Sequence, residues 1–416
     1  MWKILRSRNF WLYTILLFVV IGFFSFAQVA SRNSIKVKKL PVALVNNSDK
    51  QYSKNLVKQL KEKFSGSESQ IKFINVKNTS VLNNGFTDKK YYAALVINKN
   101  FDNNLSLQQN YLKGLVIQEK LSKISNQAVL QSAQTKVQAE FAKKAIANLP
   151  ESGKVTVIIN QGMNAQAAQV LTIALPKLMT GLNQGIAKKM QTVIQKNGIS
   201  LNSSEWQAIS NHIQSQMKIK NKIPKKSVSG TAPMIIVVLA WISSLIGSML
   251  LWREHKKHSE NNRFSLALIN SQIITGAVMT FIASLSIYFF SSVIFGLPIT
   301  NVSTFLTILG FNIFIFYLLQ TCVLDWLGFA GWPLIIIIWL LSAGTISYAP
   351  EMLSPLFRQG IYSWTPMRFS MDMFTNNLYI HGTSVTTQTD FVVLSLIGLV
   401  ALGLIYLSSL LKRKEK

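Results

Sequence analysis

Long charge-free stretches alternate with polar ones along this chain. Residues 233–252 carry no charge, 253–263 form a dense polar run, and 264–295 are uncharged again. A bilayer core of roughly 30 Å takes about 20 helical residues to cross. The pattern therefore predicts a helical hairpin in a membrane, tipped by a compact polar loop. Charge-free runs also cover 10–30, 303–322, 332–347 and 391–411, so six spans are expected. The first of these follows Lys3, Arg6 and Arg8, and Ser25-Phe26-Ala27 could serve as a signal-peptide cleavage site. Its apolar length exceeds the roughly 7–15 residues of such peptides and favours an uncleaved span.

Residues 31–232 read as an α/β domain. Leu40 to Asn46, Ile71 to Val76 and Tyr91 to Ile97 have the length and apolar density of strands. Between the first two, Leu56, Leu60 and Phe64 mark an amphipathic helix. From Ile117 to Ala145 a ridge at spacing four predicts one long helix, ended near Pro150. Val155 to Asn160 returns to strand, Gly162 marks a turn, and 163–196 reads as a second long helix, kinked at Pro176. A lysine-rich tail, Lys218 to Lys226, leads back to the membrane. Between 348 and 390, Pro350, Pro355 and Pro366 interrupt an otherwise apolar sequence. That segment is expected as short helices at the outer interface, about 350–380. The expected fold is thus an α-helical polytopic membrane protein. Its parts are a first span (1–30), an extracytoplasmic α/β domain (31–232), a five-helix transmembrane half (233–411) and a basic tail (412–416).

Charge sets the orientation. Of the net +27, residues 31–230 supply +21, with 30 Lys or Arg against 9 Asp or Glu. The short pieces expected inside carry Lys3, Arg6, Arg8, then Arg253, Lys256, Lys257, Arg263, then Lys412, Arg413, Lys414 and Lys416, whereas 296–302 carries no basic residue. Under the positive-inside rule, both termini are expected in the cytoplasm and 31–232 outside the cell membrane. A basic outer domain suits lipid headgroups or an anionic cell-wall polymer, or is a plain solvated face; a nucleic-acid partner is not expected. The lysine- and asparagine-rich composition suggests a bacterium of low GC content. Cys322 is the single cysteine and lies within an expected span, so an internal disulfide is impossible.

The motifs of self-sufficient chemistry are missing. The chain has no G-x-x-x-x-G-K-[ST], no H-E-x-x-H, no C-x-x-C and no G-x-S-x-G, so no ATPase site of its own and no metal site are expected. His212 and His381 read as isolated surface residues. Ion-coupled transporters keep ionisable groups within the membrane, and the expected spans hold none. Their polar residues Asn270, Gln272, Asn312 and Gln320 line a path or, the commoner case, bond neighbouring helices. Ala240, Ser244 and Ser248, like Ser243 and Gly247, make small faces that permit close helix packing.

The order of these features resembles the type-2 ABC exporter permeases, and more closely their YhgE/phage-infection-protein-like branch. The resemblance rests on Leu40 to Asn47 with Asp49, on Tyr91 to Ile97 with Phe101, on Asn160-Gln161-Gly162-Met163-Asn164, and on Trp364-Thr365-Pro366-Met367-Arg368. This chain looks like a half-size relative. The resemblance implies an ABC transporter permease that dimerises with a second permease subunit, the same chain or another. It would move an amphipathic, lipid-like, drug or peptide substrate outward, with ATP and magnesium held by a separate ATP-binding subunit. A coupling helix would fall on the inner loop, at Glu254, His255, Lys256, Lys257, His258, Ser259 and Glu260. Glu351, Trp364, Pro366 and Arg368 would belong to outer helices beside the exit. The rival expectation is a cell-surface binding or secretion-accessory membrane protein without an ATPase partner; a membrane enzyme is the weakest reading.

Overall fold

In a computed structural model of the protein, residues 8–126, 130–259, 264–382 and 385–410 are described. Helix α1, Arg8–Ser25, continues through a π-helical turn, Phe26–Ala30, as far as Asn33. A five-stranded mixed sheet follows, built from β1 (Leu40–Asn46), β2 (Ile71–Asn75), β3 (Ala93–Ile97), β4 (Gly153–Asn160) and β5 (Ile213–Lys220) in the order β2-β1-β3-β4-β5. β1 pairs in parallel with both neighbours, Val42 opposite Phe73 and Leu44 opposite Leu95; β4 runs antiparallel to β3 and parallel to β5.

β1 is apolar throughout because it is covered on both faces. Val42 and Leu44 point into a core with Leu56 and Leu60 of α2 (Gln51–Lys63) and Leu171 and Leu175 further along the chain. Ala43 and Val45 point the other way, against Leu82 and Phe86 of α3 (Thr79–Thr87).

The ridge from Ile117 to Ala145 does not form one helix. α4 (Phe101–Ser122) ends early, and α5 (Ala133–Ile146) begins at an N-cap where Ser132 Oγ accepts the Thr135 N–H. The polar run Ser125-Asn126 and the Ser132 cap offer the backbone alternatives to helix. The two helices then fold back on each other. Gly114 lies so close that a Cβ there would stand 3.0 Å from the Ala145 methyl.

α6 (Ala165–Asn197) contains Pro176 as expected, and α7 (Ser203–Ser210) leads to β5. The lysine-rich tail is partly this strand. Only Ile213 of β5 is buried, and exposed Lys218 and Lys220 protect a sheet edge. His212, expected on the surface, is 6% exposed beneath that edge, its carbonyl accepting the Gly153 N–H. Burial holds its pKa below the ordinary histidine value, against a backbone hydrogen bond at Ile209.

Four described segments are helical, long and apolar enough to cross a membrane: Ala232–Lys257, Leu266–Ile294, Val302–Ala343 and Thr387–Leu410. They contain α8 (Ala232–Lys257), α9 (Leu266–Tyr288), α10 (Val302–Leu327), α11 (Trp332–Ala343) and, after α12 (Pro366–Thr375), α13 (Val385–Leu407). The six expected spans also counted α1, which is not among these four, and 332–347, most of which shares the third of them with α10. α11 has 12 residues, about 18 Å at 1.5 Å per residue. It is too short to cross alone and follows α10 through a turn at Gly328–Gly331. Its far end packs on α1, where Gln28 Nε2 donates to the Leu340 carbonyl at 3.0 Å.

α10 is the axis of the bundle. Phe305, Leu309, Ile313, Phe316 and Leu324 are all buried, with Trp241 set edge-on to Phe316 at 5.0 Å. Asp325 is buried in the last turn of α10, 3.5 Å from Gln272 Nε2.

Candidate functional site

The sheet unit meets the membrane half along residues 346–382, the segment expected as outer helices. Short turns at Pro350–Met352, Pro355–Phe357 and Arg358–Tyr362 lead into α12, with Pro366 at its first position, where a missing N–H costs nothing. On the bundle side, Met367 and Phe374 join the core around Phe305, and Ser370 donates to Asn312 Oδ1. On the sheet side, Asn164 caps α6 through its oxygen and donates through Nδ2 to the Ser347 carbonyl at 3.2 Å. At Gly162 a Cβ would stand 2.8 Å from both the Asn221 carbonyl and the Tyr379 Cβ. The Asn160-to-Asn164 motif is thus a contact surface.

Charged groups converge at this junction. Lys89 follows α3 in the left-handed conformation, φ 57°, strained by about 1–2 kcal/mol for a residue with a Cβ. Its ammonium reaches the carbonyl (2.7 Å) and carboxylate (3.3 Å) of Asp372. Tyr92 donates to Glu351 Oε2 at 2.7 Å; burial first, then that carboxylate, pushes its phenol well above the ordinary range. Burial, then Asp372, likewise raises Tyr362. Both phenols stay neutral donors. The Arg368 guanidinium lies 5.2 Å from the Tyr362 ring centre and 4.2 Å from that of Phe369, cation–π distances. Asp390 is buried in α13, 2% exposed.

Lys89, Tyr92, Glu351, Tyr362, Arg368 and Asp372 line a cavity of about 390 Å³, bordered also by Met163, Ile346 and Met371, within the size range of small-molecule sites. Cations, carboxylates, neutral phenols and apolar side chains share one void, a lining that suits an amphipathic ligand. Of the expected outer residues, Glu351 and Arg368 line it and Pro366 starts the helix behind it. Trp364 does not take part: it is 48% exposed and donates to the Gly360 carbonyl. Sequence reasoning missed Lys89, Tyr92 and Asp372 as a group. One signal was there. Between 326 and 411 the chain has three acids, Glu351, Asp372 and Asp390, and the first two line this cavity.

The other expected sites are distributed. Glu254, His255, Lys256 and Lys257 form the last turn of α8, with His258 and Ser259 just beyond; Glu260 lies outside the described residues. Lys257 pairs with Glu254 at 2.8 Å, and Lys256 lies over Trp252. His255 is buried instead, its ring nitrogens 2.7 Å from the Leu251 carbonyl and 3.4 Å from Ser271 Oγ. The four polar residues of the spans all hold other elements. Gln320 Nε2 donates to the Trp241 carbonyl at 3.3 Å and Oε1 accepts from Ser248. The Gln272 carbonyl accepts from Tyr317, and Asn270 Oδ1 from Tyr406 at 2.7 Å, while Asn312 accepts from Ser370. Ser244 Oγ likewise donates to the Ile313 carbonyl at 2.9 Å.

The sheet has its own crevice where α/β proteins bind phosphates, beyond the carboxyl ends of β1 and β3. Here it is filled from within. Asp102 accepts the N–H groups of Tyr52 (2.7 Å) and Ser53 (3.1 Å) at the start of α2. Among the described residues, no three His, Cys, Asp or Glu side chains gather as a metal site. The family model for an ABC-2 family transporter protein matches residues 8–410. No curated protein and no solved structure matches the chain.

Proposed function

Because the chain belongs to the ABC-2 transporter family, we propose that it is the permease subunit of an ATP-driven exporter for an amphipathic substrate. The coarse part of this follows from the family: a multi-pass membrane permease component that works with an ABC ATPase and is not itself an enzyme. Outward movement of a lipid-like, drug or peptide substrate is the finer reading. The observation that carries it is the mixed lining of the junction cavity, at the end of the bundle remote from the polar turn of α8. Twenty-six residues separate the two ends of α8, about 39 Å of helix.

In this reading the sheet unit lies outside the cell and both termini lie in the cytoplasm. The exposed residues Glu254, Lys256, Lys257 and His258 meet the ATPase, which holds ATP and magnesium. A second permease subunit completes the transporter, which on this reading is of the YhgE/phage-infection-protein-like kind. An anionic cell-wall polymer would find lysines 54, 58, 61 and 77 along one groove of the sheet unit, which also suits the rival surface-binding role.

A photoreactive residue at Lys257 in native membranes separates the two. Capture of an ABC ATPase supports the permease reading and places the loop in the cytoplasm. Capture of no ATPase by a cytoplasmic loop overturns it in favour of the surface-binding role.

A further inference from the structure

We infer that the groove between α8 and the end of α9 binds one anionic phospholipid, with an acyl chain between the helices and the phosphate on Lys226. The groove encloses about 580 Å³, and its walls are Ile235 and Leu239 on one side and Ile287 and Phe290 on the other, with Phe295 at the edge. α9 widens here into a π-helical turn, Phe289–Ile294. This site is separate from the junction cavity and needs only the membrane spans, not the direction of transport.

Two features specify the occupant. The first is the floor, the linker between β5 and α8. Val228 and Ser229 both take left-handed backbone, φ 50° and 54°, ahead of Gly230 at 89°. A β-branched residue there is a genuine outlier, and such strain gathers at ligand sites. The Val228 carbonyl accepts from the Thr231 N–H and hydroxyl, but its side chain stays 55% exposed at the groove. An acyl chain lying along the groove would cover it.

The second feature is charge. Lys222, Lys225 and Lys226 are exposed on this linker, and among the described residues no ion pair involves them. The Lys226 ammonium hangs over Gly296, where an added methyl would stand 3.5 Å from Nζ. No acid lines the groove. A basic rim above an apolar slot complements a phosphodiester above a hydrocarbon chain. A second copy of the same face would bring lysine toward lysine, and Glu351 and Asp372 line the junction cavity instead.

The test uses the full chain in phosphatidylcholine nanodiscs doped with phosphatidylglycerol that carries a photoactivatable group on one acyl chain. Adducts mapped by peptide mass spectrometry are expected on 226–239 and 287–297. They should exceed those from the matched phosphatidylcholine probe by about fivefold, the weight of one lysine at an anionic headgroup. Lys226→Glu should remove the excess. Equal labelling by both probes overturns the proposal on the unmodified protein, whatever the variant does. So does phosphatidylglycerol labelling of Leu396 and Leu399 on α13 as strong as that of the groove. A disulfide between copies of Phe290→Cys would show that a second chain covers the groove, and would also overturn it.

Discussion

The Lys89 ammonium joins the Asp372 carboxylate across 283 residues of sequence, at 3.3 Å and with both side chains largely withdrawn from water (7% and 26% exposed). One partner belongs to the sheet unit and the other to α12, which packs into the bundle. The pair is therefore a mechanical link between the sheet unit and the membrane-spanning bundle.

Removing one partner leaves the other charge buried, which costs about 3 kcal/mol for well-buried pairs. Lys89→Met is expected to lower the melting temperature of the detergent-solubilised protein and to weaken substrate-dependent stimulation of the partner ATPase. The double variant Lys89→Met/Asp372→Leu should recover stability but not stimulation. Recovery of both would mean that the pair serves packing alone.

Tyr92 and Glu351 make the second link, and here the chemistry sets the magnitude. A hydrogen bond to a charged acceptor contributes about 1.5–3 kcal/mol, and the phenol stays protonated throughout the physiological range. Tyr92→Phe should destabilise the junction by that amount and leave it insensitive to pH between 6 and 9. Faster hydrogen exchange confined to 88–92 and 349–353 is the signature. Unchanged exchange would detach this bond from the junction.

How much of this was legible follows from the range of the interactions. Leu40–Asn46 and Gln51–Lys63 were read almost to the residue, because burial on both faces and spacing-four periodicity are local. β5 was missed because an edge strand buries only Ile213 and so shows no period. The break between α4 and α5 was missed because the apolar ridge passes straight through it. At the junction, Glu351 and Arg368 came from resemblance. Lys89 could not be found at all: nothing in the turn after α3 says that it faces Asp372. Asn312 and Gln320 stood out as polar residues in apolar spans, yet which carbonyls they reach is set by helix packing.

Asp102 gives an expectation for acid. Burial pushes its carboxyl up, but the hydrogen bonds of Ser48, Ser53 and Tyr52 outweigh this, and its pKa is lowered. A lowered folded value means that its stabilisation is full above the unfolded pKa of about 3.9 and is lost as pH falls through the folded value. Asp102→Asn should therefore melt earlier than the parent at pH 7. The gap should close below about pH 4. A gap that persists in acid would show that shape rather than charge holds the start of α2.

Gln320 and Asn312 decide between a polar path and polar packing. Gln320 ties α10 to α8 through the Trp241 carbonyl and Ser248; Asn312 ties it to α12 through Ser370. Both are fully buried. Interhelical hydrogen bonds in bilayers average about 0.6 kcal/mol and reach about 1.7. Gln320→Leu and Asn312→Leu should lower the melting temperature modestly while the ranking of transported substrates stays the same. Arg368→Gln, at the cavity, should do the reverse, shifting that ranking against anionic amphiphiles with little loss of stability. If Gln320→Leu instead changes the ranking and Arg368→Gln does not, the route runs along α10 and the junction cavity is not its exit.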